Sequence, residues 1–113
     1  MKNYTLRFKA VDKKNFDEVK NGLKIVETRA ATVKYQPIEV GDTLVFVCGK
    51  YRLKKKITKK ARFKSINAMV KKIPFKKIMP SIKSVAEMKH AYSSYSGYDE
   101  KIKKFGILAF WIK

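Results

Sequence analysis

The sequence predicts a single α+β domain over residues 1–113, a small and mostly antiparallel β-barrel with helices packed at its ends. Three observations lead there. Short stretches of alternating apolar and polar residues recur along the chain, as half-buried strands require. Between them lie segments whose apolar residues return at helical spacing behind capping residues. Finally, 113 residues that are 45% hydrophobic suffice for one core without disulfide or metal staples, and no internal repeat or composition shift marks a second domain.

Tyr4, Leu6 and Phe8 alternate with Thr5, Arg7 and Lys9, which predicts a first strand with an aromatic and aliphatic inner face. Asp12 to Asn21 reads as a short helix, with Asp12 at its cap and Phe16, Val19 and Leu23 at helical spacing. Gly22 ends it, because a left-handed residue after the last turn costs glycine least. From Gly22 to Arg29 the chain reads as a strand, in which alternation sends Ile25, Glu27 and Arg29 to one face and Lys24, Val26 and Thr28 to the other. Ala30 to Val40 has no period and predicts a loop over the strand ends, a candidate ligand-facing segment. Gly41-Asp42 turns into a buried-type strand from Thr43 to Cys48.

Gly49-Lys50 then leads into Tyr51 to Phe63, which fits one long bent strand or two strands. One parity there holds Tyr51, Leu53, Lys55, Ile57, Lys59, Ala61 and Phe63; the other, Arg52, Lys54, Lys56, Thr58, Lys60, Arg62 and Lys64, is almost wholly cationic. Ser65 caps a short helix, Ile66 to Lys72, with Ile66, Met69, Val70 and Ile73 inward. Phe75 to Pro80 is a tight connector. Ser84-Val85-Ala86-Glu87 has capping-box spacing, followed by a stripe of Val85, Met88, Ala91, Tyr92 and Tyr95. Ser93 to Asp99 reads as a loop rich in Tyr and Ser, and Phe105 to Ile112 as a strand apolar enough to lie inside a sheet rather than at its edge.

Charge limits the function. Lys and Arg number 28 against 9 Asp and Glu, a formal charge of +19, and a folded body so basic favours polyanions. Between Asp42 and Glu87 there is no acidic residue. Edge protection against strand pairing needs only a few lysines, whereas Lys50 to Lys64 carries them at nearly every outward position, which points to phosphate contact independent of sequence. Cys48 is the only cysteine, so neither a disulfide framework nor a cysteine metal site is expected. No apolar run has the ~20 residues of a membrane span, and Met1 to Tyr4 opens on a strand pattern rather than a leader, so a cytoplasmic protein is expected.

The order of features resembles the ASCH domain, a relative of the PUA fold. Its carriers are Phe16 in a helix, Gly22-x-Lys24-x-x-Glu27-x-Arg29, Gly41-Asp42 before an apolar strand, Phe63-Lys64-Ser65 and Met79-Pro80 around the helical middle, and Lys104 to Phe110 at the end. The resemblance covers nearly the whole chain and implies a PUA-like barrel with a cleft facing Gly22 to Arg29, binding RNA or nucleotides. Some members cleave the acetyl amide of N4-acetylcytidine with a Lys in the place of Lys24, a Thr in the place of Glu27 and a Glu shortly before the last long helix. This sequence keeps the Lys and departs at the other two positions: Glu27 replaces the threonine, and Pro80-Ser81-Ile82-Lys83 supplies no carboxylate. Ribonuclease activity is also attributed to the family, but no acid and base pair for it stands out.

The expected function is RNA binding, with single-stranded RNA or a nucleotide as partner and the protein a monomer. Lys24 and Arg29 would hold phosphate or base oxygens, while Glu27 orients Arg29 or accepts a base amino group. Arg52, Lys54, Lys56, Lys60 and Arg62 would hold phosphates, and Tyr95 and Tyr98 would stack on unpaired bases, with Tyr92 assigned to the core. Three alternatives stay open, one of them a basic protein that meets an acidic protein or ribosomal RNA in bulk through charge without the cleft. Glu27 and Arg29 can instead be a structural ion pair, or the chain can be a hydrolase on RNA or a modified nucleoside with Lys24 as base and Glu27 activating water. His90 stands alone, so no metal site is expected, and no cofactor is implied.

Overall fold

The computed structural model describes every residue from 1 to 113. In order, the elements are β1 (Asn3–Phe8), a 3-10 turn (Ala10–Asp12), α1 (Lys13–Lys20), β2 (Val26–Ala30), β3 (Thr43–Cys48), β4 (Tyr51–Phe63), α2 (Ile66–Val70), α3 (Phe75–Ile78), α4 (Val85–Ser93), α5 (Tyr98–Phe105) and β5 (Ile107–Ile112). The strands form one curled sheet, a half-barrel ordered β1-β3-β4-β5-β2. All neighbours are antiparallel except β1 and β3. The sheet is therefore mixed, and its two edges, β1 and β2, are the strands that flank the opening of the curl. β5 is interior, as its continuous apolar run requires.

Two cores lie on opposite faces. Inside the curl, Leu6, Leu44, Phe46, Ile57, Leu108 and Phe110 pack with Phe16 and Val19 of α1 and with Ile38 from the loop after β2. On the outer face of β2 and β5, Val26, Ala30, Ile107 and Ala109 are covered by Met69, Ile78, Met88, Tyr92 and Ile102 from α2 to α5. The helices α2 to α5 thus coat one sheet face, while α1 packs against the inside of the curl. This second core explains why β5 is apolar on both faces.

Local chemistry sets the boundaries. After α1, Gly22 takes φ +75, its N–H donates to the Val19 carbonyl, and the Leu23 N–H donates to the Glu18 carbonyl, a Schellman close of the helix. The Lys24 N–H also donates to the Glu18 carbonyl at 3.0 Å, so the helix end is fastened to the approach of β2. Asp12 occupies the N-cap of α1 but its side chain makes no capping bond, and Leu23 is 60% exposed, so neither serves the helix as expected. Ser65 and Ser84 do cap α2 and α4, accepting from the N–H groups of Ala68 and Glu87. Phe75 to Ile78, expected as a connector, closes one helical turn behind Pro74. Residues 98–105, with Tyr98 and Asp99 expected in a loop and Phe105 at a strand start, form α5, which Gly106 ends at φ +85.

β4 is a single strand of 13 residues that pairs with β3 along its first half and with β5 along its second. An irregularity sits between Ile57 and Lys59. The extra residue, Thr58, reverses the parity of everything after it. Lys60 pairs with Phe110 and Arg62 with Leu108, on the inner face, while Ala61 pairs with Ala109 and Phe63 with Ile107 on the helix-covered face. The expected continuous cationic face is therefore broken. Arg52, Lys54 and Lys56 stay together on the outer side, whereas Lys60 donates to the Gln36 carbonyl and meets Glu39 at 3.2 Å, and Arg62 donates to the Phe105 carbonyl.

Candidate functional site

The opening of the curl holds a cleft of about 240 Å³. β1 and the turn after it supply Arg7, Phe8, Lys9 and Asp12; β2 and its approach supply Lys24, Glu27, Thr28 and Arg29; Tyr35, Met79, Tyr92, Tyr95 and Tyr98 close it, with Asn15 from α1. A volume below the ~300 Å³ of ordinary small-molecule sites suits a group of about nucleobase size.

Glu27 is the centre of this cleft and is 1% exposed. Its Oε1 accepts from the Thr28 N–H at 2.8 Å and from Arg29 Nη1 at 2.9 Å, and Lys24 Nζ stands 3.2 Å away. Burial pushes its carboxyl pKa up, but Arg29, Lys24 and the Thr28 N–H together outweigh burial and hold it below the ordinary carboxylate value. Glu27 is therefore an anion near neutral pH. Its second oxygen, Oε2, is buried and has no hydrogen-bond partner, although an ionised carboxylate has lone pairs for several donors.

Strict alternation places Lys24 on the face opposite Glu27. The ammonium instead reaches Oε1, because β2 begins only at Val26 and the chain before it is not extended. Arg29 is where the strand pattern puts it, beside Glu27, and is held again by the Thr28 carbonyl at 2.8 Å. Its guanidinium also lies over the Phe8 ring at 5.9 Å, so it bridges β2 to β1 across the opening.

The far wall is aromatic. Tyr92 and Tyr98 stack with centroids 5.9 Å apart, and Tyr95 meets Tyr98 edge-on at 5.6 Å. The Tyr98 hydroxyl accepts from the Ala30 N–H, and the Tyr92 hydroxyl shares a hydrogen bond with Thr28 Oγ1. Burial raises the pKa of all three phenols, which stay neutral at physiological pH. Tyr92, assigned to the core from its helical stripe, is buried and also lines the cleft; Tyr95 and Tyr98 line it as expected, although Tyr98 opens a helix.

Of the other expected site residues, Arg52, Lys54, Lys56, Lys60 and Arg62 do not line the cleft. Arg7, which the sequence did not single out, joins the two regions. It lines the cleft, and across the sheet Arg7 is opposite Val47, which is opposite Arg52. Two strand spacings, about 10 Å, thus separate the rim of the cleft from the remaining basic face. Its alternating position on β1 was legible, but only the parallel pairing of β1 with β3 aligns it with Arg52.

No family model matches the chain, and no curated protein matches it. Two small Pyrococcus proteins of solved structure do. The crystal structure of hypothetical protein PH0355 has a TM-score of 0.83 at 28% identity, covering 100% of this chain and 98% of that one. The solution structure of protein PF0455 from Pyrococcus furiosus has a TM-score of 0.78 at 25% identity, covering 98% of this chain and 96% of the other. Their names assign no activity. The likeness extends over both chains from end to end, and the fold it supports is a curled half-barrel compatible with the PUA-like class.

Proposed function

We propose that this is an RNA-binding domain of ASCH type, which holds phosphates of a single strand on its outer basic face and takes one unpaired base into the cleft at Lys24, Glu27 and Arg29. The observation that carries the reading is the buried, unpartnered Oε2 of an ionised Glu27 at a cleft walled by tyrosines. A base amino group supplies the N–H donor that this oxygen lacks, and Arg29 beside it offers donors to a neighbouring base acceptor. Tyr95, 39% exposed, offers a ring for stacking. Arg7, Arg52, Lys54 and Lys56 supply the charge along the path of the strand.

The hydrolase alternative is disfavoured by the same geometry. Lys24 and Glu27 neutralise each other, and a carboxylate held below its ordinary pKa is a weak proton acceptor.

Binding of a labelled single-stranded RNA measured over a salt series tests the reading. Affinity is expected to fall steeply, and replacing Arg52, Lys54 and Lys56 by Ala should lower the log-log slope by about 0.7 for each phosphate no longer neutralised. Tyr95→Ala should weaken binding by about 1–3 kcal/mol without changing that slope. Affinity independent of salt, or indifferent to Tyr95, refutes the reading.

A further inference from the structure

A second cleft adjoins the first. It is lined by Glu18, Ser81 and Glu87 together with Asn15, Lys24, Met79 and Tyr95, and the last four line the first cleft as well, so the two form one groove around Lys24. A chain of net charge +19 has only 9 acidic residues, and two of them line the first cleft and two the second. Those four acids face five cations on the same walls, Arg7, Lys9, Lys14, Lys24 and Arg29, so the groove carries little net charge and contrasts with the basic outer face.

Glu18 is the informative residue. It is 8% exposed, Oε2 accepts a hydrogen bond from the Ser81 hydroxyl, and no lysine or arginine nitrogen lies within 4.0 Å. Its Oε1 accepts from no protein donor. That oxygen is not sealed from solvent, so a donor in the groove can reach it. Glu18 is not held there by accident of a loop, because its own carbonyl accepts the N–H groups of Leu23 and Lys24 at the end of α1. No three His, Cys, Asp or Glu residues are grouped closely enough to hold a metal ion, and Lys14 and Lys24 on the same walls oppose an ammonium ligand. Neutral donors remain, and of those on a nucleotide whose base sits in the first cleft the sugar hydroxyls are the ones next along the groove.

Resting on the nucleotide reading of the first cleft, we infer that the second cleft is a ribose subsite in which the Glu18 carboxylate accepts a hydrogen bond from a sugar 2′-hydroxyl, so that the groove selects ribonucleotides over deoxyribonucleotides. The base enters beside Glu27, the sugar passes Lys24 and Met79, and the phosphates lie along the basic outer face. The 2′-hydroxyl is the group by which a protein tells RNA from DNA.

The test compares three single-stranded hexamers of one mixed sequence, made as RNA, as 2′-fluoro RNA and as DNA, against the full chain. The fluoro sugar keeps the RNA-like pucker and lacks the donor. Wild type is expected to bind RNA about tenfold or more tightly than either analogue, the cost of one hydrogen bond to a charged acceptor. Glu18→Met, which keeps the length of the side chain and removes both acceptor oxygens, should abolish the difference between RNA and the analogues; should that variant fail to fold, Glu18→Asp, which retracts the carboxylate by one methylene, should cut the preference. Equal affinity of wild type for all three strands, each weakened by Tyr95→Ala, overturns the ribose subsite and leaves the base cleft standing. A preference for RNA that survives substitution of Glu18 also overturns the subsite. Binding of all three strands that ignores both Tyr95 and Glu18 overturns the subsite and the cleft reading together.

Discussion

Arg29→Ala separates what the cleft does for the fold from what it does for a ligand. The guanidinium is 18% exposed and the carboxylate it meets is 1% exposed, so its removal leaves a buried anion with one cation fewer. Breaking a buried pair costs about 3–5 kcal/mol, and the low end applies because Lys24 and the Thr28 N–H still reach Oε1. At roughly 4 °C per kcal/mol for a domain of this size, a melting temperature lower by about 12 °C is expected. The effect has a pH signature. A carboxyl with a lowered folded pKa contributes stability that is present above the unfolded value and lost as pH falls through the folded one. In Arg29→Ala the upward push of burial is opposed by less charge, so the Glu27 pKa rises and the loss of stability on acidification begins at higher pH than in wild type. The triple variant Lys24→Met/Glu27→Leu/Arg29→Met removes all three charges that meet at Oε1 and should regain most of the stability, yet bind RNA no better than the single variant. Melts recorded from neutral to acid pH provide the assay. An Arg29→Ala protein that melts like wild type at every pH refutes the claim that this pair is a buried, coupled unit.

The same geometry sets three further outcomes. Lys60→Ala/Arg62→Ala should lower stability by removing the bonds to the Gln36 and Phe105 carbonyls, and should change RNA affinity far less than removal of Arg52, Lys54 and Lys56; equal losses of affinity would restore the continuous cationic face. Gly106→Ala places a Cβ 2.5 Å from the Phe63 carbonyl oxygen at a φ of +85, and thermal melts should show a cost of at least about 3 kcal/mol. Incubation with N4-acetylcytidine should release no acetate, because Glu27 is an ion-paired anion and Thr28 Oγ1 is engaged with Tyr92; release that depends on Lys24 would contradict the assignment of a binding rather than a hydrolytic site.

Periodicity is a good guide wherever burial has one side. Leu6 on β1, Phe16 and Val19 on α1, and the unbroken run of β5 all lie where alternation or helical spacing puts them. It fails at two places for one reason, that a local backbone change shifts the facing of the residues beyond it. The irregularity at Thr58 sends Lys60 and Arg62 to the other face, and nothing in a run of lysines marks the residue at which the register slips. The unextended approach to β2 likewise lets Lys24 share an oxygen with Arg29 when strict alternation separates them. α5 is hidden in the sequence because its single buried residue, Ile102, gives no stripe within a polar segment. Glu27 and Arg29 can be paired from spacing alone and Tyr35 lies in the aperiodic loop expected to face a ligand, whereas Arg7 and Glu18 enter the groove through tertiary packing that no local pattern encodes.

A nucleotide in the cleft, and not only a strand on the basic face, is what separates this reading from binding by charge alone. Amide resonances of the labelled protein titrated with a single-stranded RNA hexamer address it directly. The Thr28 N–H donates to Glu27 and the Ala30 N–H to the Tyr98 hydroxyl, so both report on the cleft wall. These two amides are expected to shift and to saturate together with those of Arg52 to Lys56. Shifts confined to Arg52 to Lys56, with Thr28 and Ala30 unmoved at saturation, would contradict a nucleotide in the cleft.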